Sequence, residues 1–216
     1  MQADKQEIEF NFTAPYYTLG RLTETTQNIW IVFHGYGQMT EHFIRRFDVL
    51  DLETNFLIAP QGLSRFYLDF TFKKVGASWM TREDRETDIH NQLHYLDAVL
   101  EYELQKCTHS TPSINLFGFS QGVATACRWA AFSQLPFRKM IIWAGIFPED
   151  LSANHFTYLP EKPEVTIVMG RQDPYYRKWP FEEHLLRVEQ AVGKPEVAFF
   201  DGKHEVQREL LGQLAK

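Results

Sequence analysis

Cysteine is scarce: only Cys107 and Cys127 occur in 216 residues, both inside helical patterns. A disulfide-stapled scaffold does not fit, and two buried free thiols in a reducing compartment are the simpler reading. No apolar run approaches the ~20 residues of a membrane-spanning helix. The opening MQADKQEIEF has neither the basic start nor the apolar stretch of a secretion signal, so a cytoplasmic location is expected. A basic stripe is also missing. The net charge is −6 with both signs interspersed, which argues against a nucleic-acid partner. There is no H-E-x-x-H, no paired C-x-x-C, and no metal-ligand spacing among the scattered His and Asp, so neither a metal nor a cofactor is expected. No repeat, low-complexity tract or Pro/Gly/Ser linker divides the chain, and its length suits one domain over residues 1–216.

What is present is a succession of short apolar runs separated by helical patterns. The segment Glu7 to Leu22 contains period-two patches and reads as one or two opening, antiparallel strands. Ile29 to Phe33 (IWIVF) is continuously apolar, as a strand covered on both faces must be. Thr40 is a candidate cap for a helix through Phe47, and Phe56 to Ala59 is a strand stopped by Pro60. After a long aromatic-rich connection from Leu63 to Met80, Thr81 offers a cap with Asp84 three residues on. Ile89, Leu93, Leu96, Leu100 and Leu104 then predict a helix of about six turns ending near Cys107. Strands follow at Ser113 to Phe117, Lys139 to Ala144, Glu164 to Met169 and Glu196 to Phe200. Helices are expected at Val123 to Phe132, Phe181 to Val192 and Glu205 to Lys216. Strands alternating with helices require a mostly parallel central sheet with helices on both faces, and sites in such sheets form beyond the carboxyl ends of the strands.

Gly118-Phe119-Ser120-Gln121-Gly122 fits G-x-S-x-G between a strand and a helix. In that context the serine sits on a sharp turn that projects its oxygen above the sheet, and small Gly118 and Gly122 let strand and helix approach. A serine hydroxyl needs a base, and on this architecture the order along the chain is Ser, then Asp or Glu, then His. Three histidines follow Ser120. His184 lies within a helical pattern, where a surface role is expected, and His155 lies in a stretch with no clear element. His204 directly follows the strand EVAFF. Asp173 follows EVTIVM through Gly170-Arg171-Gln172 and reaches the same edge of the sheet. Its plain alternative is to start a turn with Pro174. Asp201, in an Asp-Gly turn, is a rival acid and Asp150 a weaker one. Backbone N–H donors for a developing oxyanion are expected from Gln121, just after the serine, and from Tyr36 in the loop His34-Gly35-Tyr36-Gly37. His34 precedes Ser120 and is read as an ordering or packing residue.

HGYG after a buried strand, APQG at residues 59–62, GASW at 76–79, GFSQG, WAGIFP at 143–148, GRQD and GKHE recur in a familiar order. The set resembles the phospholipase/carboxylesterase family of α/β-hydrolases, which includes acyl-protein thioesterases and small bacterial carboxylesterases. The resemblance runs from about Ile29 to the C-terminus. It implies an α/β-hydrolase fold, a triad carried onto Ser120, Asp173 and His204, and oxyanion donors at Tyr36 and Gln121, while a chain of 216 residues has little room for a large separate lid. Two positions depart from the pattern. Many members follow the elbow with another Gly where this chain has Val123, and many carry Trp-Phe-Asp or Trp-Tyr-Asp where Trp79 is followed by Met80-Thr81.

The expected reaction is cleavage of a small-molecule carboxylic ester or thioester through an acyl-enzyme. The aromatic content, 15% with 18 Phe, suggests an aromatic-walled pocket. Phe66, Tyr67, Phe70, Phe72 and Trp79 from one loop, with Trp143, Ile146 and Phe147 from another, are candidate walls. Their alternative role is to anchor a long loop or cover the surface of a homodimer. A peptidase or dienelactone-type hydrolase on the same scaffold is the competing chemistry, and a noncatalytic ligand-binding protein the competing class.

Overall fold

The computed structural model describes residues 3–108, 112–176 and 180–215. The central sheet has seven strands in the order β1 (Tyr16–Leu19), β3 (Asn55–Pro60), β2 (Asn28–Phe33), β6 (Ser113–Phe119), β7 (Lys139–Trp143), β8 (Glu164–Gly170) and β9 (Glu196–Phe200). β1 pairs antiparallel with β3, and every other neighbouring pair is parallel. The continuous apolar runs occupy the middle of this sheet. Ile29 to Phe33 on β2 and Phe56 to Ala59 on β3 are buried along their length, because residues pointing either way meet packed side chains.

The helices follow from the direction of each crossover. From β2 the chain steps toward the β1 edge through a short helical turn, α1 (Thr40–Phe43), and a 3₁₀ turn, Ile44–Phe47. The later crossovers run the other way, through α2 (Arg85–Leu104), α3 (Gln121–Phe132) and α4 (Phe181–Val192). Right-handed connections of opposite direction place helices on opposite faces. Accordingly α2 packs against α3, while the C-terminal α5 (Arg208–Leu214) packs against the Ile44–Phe47 turn. The fold is of the α/β-hydrolase type.

Several local expectations are corrected. Thr40 is the first residue of α1 rather than its cap, and its hydroxyl donates to Pro60 O at 2.8 Å. Thr81 does not cap α2 either; Asp84, at φ 48° and ψ 36°, precedes that helix. The 63–80 connection contains an antiparallel hairpin, β4 (Ser64–Tyr67) and β5 (Val75–Ser78). It is pinned to the loop after β2, where Gly37 N–H donates to Ala77 O at 2.8 Å. The last helix starts at Arg208 and not at Glu205. His184, read as a surface residue, is 1% exposed, and its Nε2 accepts from Phe147 N–H at 2.9 Å.

The core is aromatic, and its polar ends are satisfied. Trp30 Nε1 donates to Asn55 Oδ1, Trp79 Nε1 to His34 O, Trp129 Nε1 to Asp97 Oδ1 and Trp143 Nε1 to Glu205 O. Each indole thus buries its rings without stranding its N–H. A charged exception is Arg128 on α3. It is 3% exposed and gives Nε and Nη2 to the two oxygens of Asp150, at 2.8 and 2.6 Å. The guanidinium holds the Asp150 carboxyl below its usual range. Asp150 is therefore a structural counter-ion, away from the candidate site. Asp150→Ala should cost about 2 kcal/mol in denaturant unfolding, less than a fully buried pair because half of the Asp150 side chain faces water. A midpoint equal to wild type would contradict this role for the pair.

Candidate active site

The turn from β6 into α3 sets the position of Ser120. Its backbone is at φ 53° and ψ −118°, far from the ordinary regions for a residue with a Cβ. Two close approaches force this turn. A Cβ on Gly118 would lie 2.5 Å from Val123 Cα, and one on Gly122 would overlap the carbonyl oxygens of Phe33 and His34. Ser120 N–H donates to Trp143 O at 2.9 Å, which ties the turn to β7.

The loops after β8 and β9 bring the other two side chains to the same rim. Arg171 N–H donates to Phe200 O and Gln172 N–H to Gly202 O, each at 2.9 Å, so the loops are zipped together just before Asp173. His204 Nδ1 lies 2.7 Å from Asp173 Oδ2, and His204 Nε2 lies 2.9 Å from Ser120 Oγ. Asp173 is 0% exposed, and its other oxygen accepts Tyr175 N–H at 2.9 Å. With a carboxylate on Nδ1, the proton belongs on that nitrogen, and Nε2 presents its lone pair to the serine hydroxyl. The imidazole packs against two rings, Phe119 and Tyr175, each with its centroid 4.9 Å away. The arrangement can therefore take a proton from Ser120 and hold the resulting imidazolium beside a buried carboxylate. Asp201, the rival acid, instead faces Arg171 at 3.8 Å.

Gln121 is the first residue of α3, so its N–H has no acceptor within the helix. Tyr36 N–H has no backbone acceptor among the described residues. Both sit on short segments fixed from outside. The loop after β2 is held by Gly35 N–H donating to Gln38 Oε1 at 2.8 Å and by its link to β5. His34 is fully buried. Its Nδ1 meets Gly35 O at 2.8 Å and its Nε2 accepts Gly62 N–H at 3.0 Å, a neutral tautomer. Burial pushes its pKa down to about 4, against a smaller opposing effect of the Gly35 carbonyl.

Sequence reasoning missed the side chain of Gln121. Its Oε1 accepts Trp79 N–H at 3.0 Å and its Nε2 donates to Met80 O at 2.8 Å. The elbow is thereby bolted to the segment after β5, some 40 residues away in sequence. Tyr175 was also missed, although its place two residues after Asp173 is a signal once the acid is fixed.

The candidate pocket walls divide into two groups. Trp79, Trp143 and Phe147 are each 0% exposed and belong to the core, so they are removed from the substrate surface. Tyr67, Phe70, Phe72 and Ile146 are exposed. Phe66 is half-buried and stacks on Tyr36, with ring centroids 5.1 Å apart. The exposed rings lie on or near the hairpin and not in an enclosed chamber.

The sequence profile of the phospholipase/carboxylesterase family matches residues 21–213 of this chain. No curated protein matches it by sequence. Among solved structures, the carboxylesterase from Mesorhizobium loti is similar with a TM-score of 0.70 and 16% identity, over 93% of each chain. Acyl-protein thioesterase 2 from Zea mays has a TM-score of 0.68 and 16% identity, over 93% of this chain and 96% of that one. The Bacillus cereus carboxylesterase has a TM-score of 0.68 and 14% identity, over 93% and 91%. At these identities the structural likeness establishes the shared fold.

The buried histidines generate a pH prediction. Burial, with a smaller effect of the nearby Arg187 charge, lowers the pKa of His184 to about 4, as burial does for His34. Below the ordinary histidine value of about 6.5 the unfolded chain binds protons that the folded state refuses, so stability should fall progressively from pH 6.5 to about 4. Urea midpoints measured across this window should fall toward acid, and the slope should be shallower in His184→Gln. A variant slope equal to that of wild type would remove His184 from this account.

Proposed function

The chain belongs to the phospholipase/carboxylesterase family and is an esterase-type hydrolase, and we propose that it cleaves carboxylic esters through an acyl-enzyme formed on Ser120. The observation that carries this reading is the unbroken contact from Ser120 Oγ through the imidazole of His204 to the buried carboxylate of Asp173.

His204 Nε2 takes the Ser120 proton as Oγ bonds to the ester carbonyl carbon. The carbonyl oxygen becomes an oxyanion and accepts hydrogen bonds from the backbone N–H groups of Tyr36 and Gln121. Asp173 keeps the imidazole in the Nδ1–H tautomer and stabilises its cationic form. The intermediate collapses with cleavage of the bond to the leaving group, which departs with the proton from Nε2 as an alcohol or thiol. Water then gives a proton to Nε2 while its oxygen attacks the acyl-enzyme. Collapse releases the acid and returns the proton to Ser120. Thioesters present the same carbonyl to the same serine. The similarity to a protein described as an acyl-protein thioesterase supports including them among the substrates tested.

An acyl-length series of chromogenic esters and thioesters, with a peptide amide beside them, tests the reading. Wild type should turn over esters or thioesters in preference to the amide. Ser120→Ala should lose at least about 10⁴-fold in kcat, and Asp173→Asn about 10⁴-fold through the wrong imidazole tautomer. Ester turnover surviving in Ser120→Ala, or robust amide cleavage with negligible ester turnover, would refute it.

A further inference from the structure

Next to the loop that carries Tyr36, a groove of about 490 Å³ opens between the Thr40–Phe47 helical turns and the tip of the β4–β5 hairpin. Part of its lining is apolar, from Met39, Phe43, Leu68 and Val75. The polar part holds Gln38, Glu41, His42 and three cations. Arg46 comes from the 3₁₀ turn, and Lys73 and Lys74 from the hairpin. Among the described residues, none of these three cations has a carboxylate within salt-bridge distance. The one carboxylate in the lining, Glu41, is already engaged by Arg45 at 2.8 Å.

Three unpaired cations from two separate elements converge on one concavity of a chain whose net charge is −6. Like charges brought together repel, and among the described residues no carboxylate is within ion-pair distance of Arg46, Lys73 or Lys74 to offset that repulsion directly. A concave, partly apolar wall also strengthens the attraction for an incoming anion relative to a flat surface. The groove begins where the candidate oxyanion loop ends. Gly37 and Gln38 line it and directly follow Tyr36. Along the chain, the lining of the groove thus starts one residue after the candidate oxyanion donor.

We propose that this groove binds an anionic group, a carboxylate or a phosphate, carried by the ester substrate. The inference rests on the esterase reading above and adds the chemical class of the substrate. The apolar residues accept a short hydrocarbon spacer, and Arg46, Lys73 and Lys74 meet the charge at its end. The anion has two sources, the far end of the acyl chain or the leaving group, and matched substrates separate them.

For the acyl side, the pair is p-nitrophenyl hexanoate and the mono-p-nitrophenyl ester of adipic acid. For the leaving group, it is 2-hydroxyethyl butanoate and its phosphorylated counterpart, followed by acid release. Wild type should prefer at least one anionic member over its neutral partner by about tenfold in kcat/KM, mainly through KM, with the preference shrinking as salt is added. In the combined variant Arg46→Gln, Lys73→Gln, Lys74→Gln the anionic-to-neutral ratio should collapse toward one. The single reversal Lys73→Glu should shift it the same way, which guards against misfolding of the triple variant. Equal rates within both pairs, or a preference that survives the triple variant, overturn the proposal while leaving the esterase reading intact. If wild type cleaves none of the four, the acyl-length series of esters and thioesters decides the esterase reading, and direct titration with adipate and inorganic phosphate decides the groove. Saturable binding that the triple variant lacks supports it, and no binding overturns it.

Discussion

Everything at the candidate site depends on a strained turn at one residue. Ser120 adopts a positive φ that a residue with a Cβ takes only under compulsion, at a cost on the order of 1–3 kcal/mol. The compulsion comes from both sides. β6 lies in the middle of the sheet, paired with β2 and β7, and α3 packs its buried face tightly against the layer below. The chain must reverse within one residue to pass from one to the other. The strain is offset by the aromatic and aliphatic core, and its product is a hydroxyl that stands clear of the sheet. Gly145, after β7, completes the fit, since a Cβ there would run into the Ser120 carbonyl and the Val123 side chain.

The parallel sheet does the remaining positioning. β6, β8 and β9 point the same way, so the loops at their carboxyl ends share one rim. Hydrogen bonds between the β8 and β9 loops then fix the spacing of Asp173 and His204 more tightly than either loop alone would. Asp173 is buried and fully engaged, whereas the His204 imidazole keeps about a quarter of its surface open. That gradient, from a dry carboxylate to a partly wet imidazole to an exposed rim, suits a base that must reach an incoming ester and later a water molecule.

The strand and helix order was legible because buried parallel strands are continuous apolar runs and the helices between them are long enough to show their period. The chain order Ser120, Asp173, His204 was legible for a related reason: each residue directly follows a strand or opens a turn at the same edge. Other features depend on three-dimensional context that no local pattern carries. Trp79, Trp143 and Phe147 follow strand ends just as pocket residues would, and hydropathy does not tell a ring facing the core from one facing a cavity. The β4–β5 hairpin escaped notice because SRFY and VGAS are four residues each and carry no alternation strong enough to register. His184 sits in an amphipathic helix whose charged neighbours disguise its inward direction. The tether made by Gln121 joins groups about 40 residues apart, and only the folded chain brings them together.

The central claim is that Ser120 is a nucleophile made reactive by His204 and Asp173. Labelling with a serine-directed fluorophosphonate, followed by mapping of the modified peptide, tests it without choosing a substrate. The account predicts rapid, stoichiometric modification of Ser120 in wild type, a label slowed by orders of magnitude in His204→Gln, and no label at this peptide in Ser120→Ala. Modification at another residue, or a His204→Gln protein that labels as fast as wild type, would contradict it.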